Sequence, residues 1–279
     1  MSPPIELVVT DLDGTFWHLD HDLHHRTQAA VAELAGRGIP VLVATGRRLR
    51  TTADPLARFG LAPPAVVLNG ALGVDLGTGE RFHTLALDGA AAVAILGAFR
   101  AAGLEPCIYV DHPKVEVFLA SEPSTHPDHA RALRQQARTD DLDRVVVEEA
   151  VLGFSLLGLP YEPLAAVVEH LGEHGVAHLD RSIEYVGHAS MTVTGRGISK
   201  WEGVLAYCRH AGIDPTRVLA IGDGPNDLEL LAGAAVAVAP ADGHEGVRAV
   251  ADHVVGPAAD GGWAEIVTIL DSLAGAELD

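Results

Sequence analysis

The sequence predicts an α/β fold, with a doubly wound Rossmann-like parallel sheet core interrupted by an inserted α+β cap domain. Three observations predict it. Short β-branched runs alternate with amphipathic helical stretches at both ends of the chain. The middle departs from that alternation and mixes helices with paired strands. Polar turn residues then collect directly after the runs that read as strands, where an open parallel sheet places its ligand site.

The elements run in order along the chain. Residues 5–10 (IELVVT) form a short strand that runs into the turn Asp11-Leu12-Asp13-Gly14-Thr15. Residues 27–37 (TQAAVAELAGR) have helical spacing and a stop at Gly38, followed by an apolar strand over 39–44 and the turn Thr45-Gly46-Arg47, which completes a βαβ unit. A third strand, 65–68, ends at Asn69-Gly70. Helices are expected over 88–102, 127–137 and 162–174, with paired strands at 104–110 and 114–120. The parallel pattern returns with a helix at 200–211, a strand at 218–221, a helix at 226–232, a strand at 235–239 and a last helix from Trp263. The core is therefore expected to comprise 1–82 and 189–279, and the inserted domain 83–188.

A chain of 279 residues with 48% hydrophobic residues can bury a sizeable core in two domains. Its formal charge of −19 repels nucleic-acid backbones and anionic membrane surfaces, so neither is an expected partner. The two cysteines, Cys107 and Cys208, stand apart and form no CxxC pair, which fits a reduced compartment. No basic-then-apolar leader and no apolar run of about 20 residues is present, so a cytoplasmic location is expected. An anionic substrate would need local compensation from a metal, a lysine or backbone N–H groups.

That compensation is available where the strand ends converge. Asp11 and Asp13 follow one strand, Thr45 and Gly46 a second, Asn69 and Gly70 a third, and the segment Gly222-Asp223-Gly224-Pro225-Asn226-Asp227 a fourth. Carboxylates bunched this closely call for a hard cation such as Mg²⁺, with Asp11 and Asp223 as oxygen donors. A carboxylate beside Mg²⁺ is a competent nucleophile toward phosphorus, and Asp13 can move protons as acid and then base. Thr45, the Gly46 amide and Lys200 can donate hydrogen bonds or positive charge to phosphoryl oxygens.

The motifs DLDGT (11–15), ATGR (44–47), NGA (69–71), GISK (197–200) and GDGPND (222–227) stand in one order along the chain. In them the sequence resembles the haloacid dehalogenase-like superfamily, and within it the Cof-type phosphatases of subclass IIB that carry an inserted α/β cap. The resemblance implies that Asp11 is the nucleophile and a metal ligand, and that Asp13 is the acid/base and lends its backbone carbonyl to Mg²⁺. It makes Asp223 a further ligand, Asp227 a buttress for Lys200 or the metal, and Thr45 and Lys200 part of the catalytic set. Leu12, Thr45, Gly46, Arg47, Asn69, Lys200 and Asn226 are implied to bind phosphate or substrate. The implied substrate is a small phosphorylated metabolite, over which the cap closes and which it selects. Two departures stand out. An Asn-Ala pair frequent in the family is replaced within Ala237-Val238-Ala239-Pro240-Ala241, and Phe16-Trp17-His18 is bulkier than the usual aliphatic pair.

Two other readings stay open at this level. A phosphotransferase or phosphomutase on the same scaffold would yield a transferred or isomerised phosphoester instead of inorganic phosphate. A non-catalytic phosphometabolite-binding protein would bind without turnover. His18, His21, His24 and His25 match no zinc spacing and read as a solvated flap. Trp17 reads as packing against that flap in preference to stacking on a leaving group, Trp201 and Trp263 as core or domain-edge residues, and Tyr185 and His188 as surface groups near the return to the core in preference to substrate contacts.

Overall fold

The structure, a computed structural model, describes residues 5–18, 22–112, 114–134, 136–181 and 185–275. His21 lies outside the described residues. The chain divides into two compact units, one of residues 1–83 with 199–279 and the other of residues 84–198.

The first unit is built on an eight-stranded sheet. From the N-terminus its elements are β1 (Leu7–Thr10), α1 (His25–Gly36), β2 (Val41–Ala44), α2 (Leu49–Arg58), β3 (Pro64–Val67), a 3₁₀ turn (Leu68–Gly70), β4 (Leu72–Asp75) and β5 (Arg81–Thr84). The second unit comes next with α3 (Gly89–Ala101), β6 (Cys107–Val110), β7 (Val117–Leu119), α4 (Pro127–Arg134), β8 (Arg138–Thr139), α5 (Leu142–Glu148), β9 (Val151–Leu159), α6 (Tyr161–Leu171), β10 (Val176–Arg181) and β11 (Ala189–Thr194). The chain returns with α7 (Lys200–Ala211), β12 (Val218–Ile221), α8 (Leu228–Gly233), β13 (Val236–Pro240), α9 (Glu245–Arg248), β14 (His253–Val255) and α10 (Ile266–Gly275).

The strand order of the first sheet is β14-β13-β12-β1-β2-β3-β4-β5. It is parallel from β14 to β3, and β4 runs antiparallel to β3. From β1 the chain first builds outward through β2 and β3 and later returns on the other side through β12. β1 and β12 therefore flank the topological switch point, where ligands of such sheets bind. β1 and β12 are buried throughout, which explains why both read as continuous apolar runs.

The second unit carries a six-stranded sheet of order β10-β11-β9-β6-β7-β8. Its core joins Ile95 and Phe99 of α3, Val145 of α5 and Leu164 and Val167 of α6 to Ile108, Phe154, Met191 and Val193 of the strands. The return to the first unit, expected at residue 189, comes later. β11 pairs with both β9 and β10, and this locks residues 189–194 into the second sheet.

Several elements were not legible. α2 is largely polar and contains Pro55, which argues against a helix from sequence. β9 is a nearly unbroken apolar run with two glycines, a pattern that does not separate strand from helix. The helix expected over 226–232 opens as a 3₁₀ turn (Pro225–Asp227), and that expected from Trp263 opens as another (Gly262–Glu265) before α10. Among the described residues no helix is long and apolar enough to cross a membrane.

Helix α7 carries Lys200 at its first position, so its seat on the sheet decides where that ammonium lies. Ser199 caps the helix, accepting a hydrogen bond from the Glu202 amide, and Gly212 ends it in the left-handed conformation. Gly203 lets α7 lie against β3, because a Cβ at that position would stand 2.3 Å from Cγ1 of Val66. Gly203→Ala is expected to cost about 1–3 kcal/mol through overpacking, read as a lower urea unfolding midpoint at unchanged slope. Unchanged stability would mean that the helix can move off the sheet freely.

Candidate active site

β1 ends on Thr10, and the Asp11 amide donates to the carbonyl of Ile221 at the end of β12 (3.0 Å), so the two strands deliver their loops to one place. Asp11 is 7% exposed. Lys200, the first residue of α7, is 1% exposed and its Nζ lies 2.7 Å from Asp11 Oδ1 and 2.7 Å from Asp227 Oδ1. Asp227 is fully buried, and its Oδ2 accepts from the Gly224 amide (3.0 Å). Asp223 accepts from the Thr15 hydroxyl through Oδ1 (2.8 Å), and its carbonyl accepts from the His244 amide (2.8 Å). Gly14 has φ +77°, and a Cβ there would meet Asp223 Oδ2 at 2.7 Å, so only glycine lets this loop turn so close to that carboxylate.

Burial and the surrounding carboxylates of Asp227, Asp223 and Asp13 push Asp11 well above the usual carboxylate range, although Lys200 opposes the shift. Burial pushes the Lys200 pKa down, but the carboxylates of Asp11 and Asp227 outweigh it and hold the ammonium above its usual pKa. Burial, reinforced by Asp227, pushes Asp223 up to about 6 against the Thr15 hydroxyl bond.

The remaining site residues lie around this cluster. Thr45 is buried, its hydroxyl oxygen accepts from the Arg47 amide (3.2 Å), and its carbonyl accepts from the Asn69 amide (3.0 Å). Asn69 accepts from Asn226 Nδ2 through Oδ1 (3.0 Å), so two distant motifs meet. Leu68 and Asn69 hold φ of 52° and 53°, a left-handed pair rare for non-glycine residues, and this turns Asn69 inward against Gly46. The Leu12 side chain is fully buried, so any contact it makes with a ligand is through its main chain. Arg47 donates through Nε to Asp13 Oδ2 and through Nη2 to Asp13 Oδ1 (2.6 Å).

Sequence reasoning gave Thr15 no role of its own and preferred packing to a leaving-group stack for Trp17. Trp17 is fully buried and donates to Asp13 Oδ1 (3.1 Å), so its ring packs inside the unit. Its spacing of four residues from Asp13, in a turn bulkier than the family's usual one, was the available signal. Trp263 is 1% exposed and donates to the Thr10 hydroxyl (2.9 Å).

Carboxylate oxygens of Asp11, Asp223 and Asp227 lie within 4.8 Å of one another, a spacing that fits one hard cation. The Lys200 ammonium is shared by Asp11 and Asp227, and Asp223 adds a third carboxylate beside them. The donor set therefore fits a divalent metal.

The family model of the haloacid dehalogenase-like hydrolases matches residues 8–267. The chain belongs to that family, in line with the Cof-type resemblance of its motifs. It is 28% identical over 250 residues to a phosphoglycolate phosphatase of Methanopyrus kandleri, covering 89% of this chain and 90% of that protein. It is 23% identical over 258 residues to a pyridoxal phosphate phosphatase of Escherichia coli, covering 90% and 93%. Its fold matches that of a subclass IIB sugar phosphatase of the same superfamily with a TM-score of 0.75, at 22% identity over 95% of this chain and 99% of that one.

Replacing Lys200 by methionine keeps the stem and removes the charge, leaving two carboxylates buried without their ammonium. Lys200→Met is expected to cost about 3–5 kcal/mol at pH 7.5. The cost should shrink at pH 5, because a carboxylate whose folded pKa is raised is stabilising when protonated and loses that contribution as pH rises. Urea midpoints at the two pH values test both statements, and an equal loss at each would overturn the second.

Proposed function

We propose that this protein is a Mg²⁺-dependent phosphatase of small phosphomonoesters that works through an aspartyl-phosphate on Asp11. The observation that carries the reading is the buried Lys200 bridge between Asp11 and Asp227, set beside Asp223 at the switch point of a parallel sheet. A binding protein needs no nucleophile held in this way. The phosphatase names of the full-length relatives support the same class of reaction.

In the first step an Asp11 oxygen attacks phosphorus, the bond from phosphorus to the leaving oxygen breaks, and Asp13 gives that oxygen its proton. In the second step Asp13 takes a proton from water, the water oxygen attacks phosphorus, and the bond to Asp11 breaks to release inorganic phosphate. Lys200 orients Asp11 and offsets charge building on the phosphoryl oxygens. The Thr45 hydroxyl, the Gly46 and Leu12 main chain and Asn226 take those oxygens, and Asn69 holds Asn226. Mg²⁺, held by Asp11, Asp223 and the Asp13 carbonyl with Asp227 behind them, would lower the repulsion between anionic nucleophile and anionic ester. The inserted unit of residues 84–198 is assigned the choice of substrate. Phosphoglycolate, pyridoxal phosphate and sugar phosphates form the first panel, because the relatives and the matched structure carry those names.

With Mg²⁺ present, wild type should release phosphate from members of this panel and lose the activity in EDTA, while Asp11→Asn should fall by about 10³-fold or more. Absence of phosphate release by wild type, or undiminished release by Asp11→Asn, would overturn the reading. Mg²⁺ should also raise the thermal midpoint more at pH 7.5 than at pH 5. The sign follows from Asp223, whose carboxyl is pushed up to about 6 and must lose its proton to bind metal. An equal shift at both pH values would exclude Asp223 as a ligand.

A further inference from the structure

The proposed proton transfer depends on how the Asp13 carboxylate is held, and the groups that hold it lie partly outside the motifs. Trp17 Nε1 donates to Asp13 Oδ1 (3.1 Å), and the same ring lies beneath the Arg47 guanidinium, 5.5 Å from Cζ to its centroid. Arg47 donates to both Asp13 oxygens and, through Nη1, to the carbonyl of Thr51 (3.0 Å). That carbonyl would ordinarily accept from the amide four residues on, but the residue there is Pro55, which has no N–H. The proline thus releases a helix carbonyl to Arg47, and the guanidinium is fixed on its far side as well as against Asp13.

The indole is itself locked. The Trp17 amide donates to the Leu12 carbonyl (3.1 Å), and the Gly14 amide donates to the Trp17 carbonyl (3.0 Å), so Asp13 lies inside a turn that Trp17 closes. Phe16 meets Trp17 edge-on with centroids 6.0 Å apart and meets Trp263 edge-on at 5.2 Å. Trp263 in turn donates to Thr10, the residue before Asp11 (2.9 Å). One aromatic row therefore runs from the strand that carries the nucleophile to the carboxylate that moves the proton.

We propose that Trp17 is a positioning residue, whose indole N–H, together with the Arg47 it supports, holds Asp13 in the orientation from which a proton passes to the leaving oxygen. The proposal rests on the phosphatase reading. A phenyl ring at position 17 would fill most of the same space and donate nothing. The carboxylate would then keep Arg47 and its main-chain turn but lose the indole N–H bond to Oδ1.

The test compares kcat/KM of wild type and Trp17→Phe in saturating Mg²⁺ for two esters. One is p-nitrophenyl phosphate, whose leaving group departs without a proton. The other is the alkyl phosphate of the panel that wild type hydrolyses fastest, whose alkoxide needs one. A positioned acid contributes about 10²–10⁴-fold to such a step, so loss of its orientation should lower kcat/KM for the alkyl ester about tenfold or more and for the aryl ester less than about threefold. Both rates scale with the concentration of folded enzyme, so their ratio is immune to partial misfolding of the variant. A ratio equal to that of wild type would make Trp17 a packing residue and overturn the proposal. Wild type that releases phosphate from neither ester would overturn the phosphatase reading, and this inference with it.

Discussion

Everything at this site depends on one ammonium group buried between two carboxylates. Lys200 occupies the first position of a helix, where the aligned peptide dipoles disfavour a cation. It is also almost wholly removed from water. The first condition is a mild cost, but the second is not tolerable for a lone lysine, so the chain supplies Asp11 from the end of β1 and Asp227 from the loop after β12. The requirement runs both ways, because the same two carboxylates could not be buried side by side without a cation. The close approach of α7 to β3 at Gly203, the pairing of β1 with β12 and the capping of α7 by Ser199 can be understood as what it takes to bring these three charges together.

A second charge group sits beside the first and obeys a different logic. The Asp13 carboxylate and the Arg47 guanidinium are only partly buried, with side chains 24% and 18% exposed, and they are joined by two hydrogen bonds and a ring face instead of by deep burial. Breaking either group costs differently: removing one partner of the deeply buried Lys200 bridge leaves an uncompensated buried charge, whereas the partly exposed Asp13–Arg47 pair remains in reach of water.

The parallel core was legible because its strands are short, apolar and followed by turn residues whose chemistry is strongly marked. The carboxylates of Asp11, Asp223 and Asp227 lie together, as turn residues after β1 and β12 suggested, whereas Lys200 opens a helix and was marked only by its motif. The β9 strand, the α2 helix and the late return at β11 were hidden for separate reasons: two glycines in an apolar run, a proline within a polar helix, and pairing partners far away in sequence. The Arg47 contact with Asp13 was also invisible, since it depends on the side-chain geometry of a turn 34 residues away. Thr15 was in plain view but carried no pattern that distinguishes a support from a turn residue, and Trp17 showed only its bulk in the turn that follows Asp13.

The departure near Pro240 shows how a changed side chain can leave a site intact. The chain after β13 folds back so that the Gly243 amide donates to Pro240 (3.0 Å) and the His244 amide donates to the Asp223 carbonyl (2.8 Å). A Cβ at Gly243 would stand 3.3 Å from the Cα of Asp223, so the two backbones are already in near contact. What this segment gives Asp223 is a main-chain donor held at short range. Such a donor does not depend on which side chain stands at Ala239 or Ala241, so a change of side chain there leaves the hydrogen bond to the Asp223 main-chain carbonyl in place. The same reasoning explains why the Phe16-Trp17 departure is different in kind. There the side chain itself makes a hydrogen bond to Asp13.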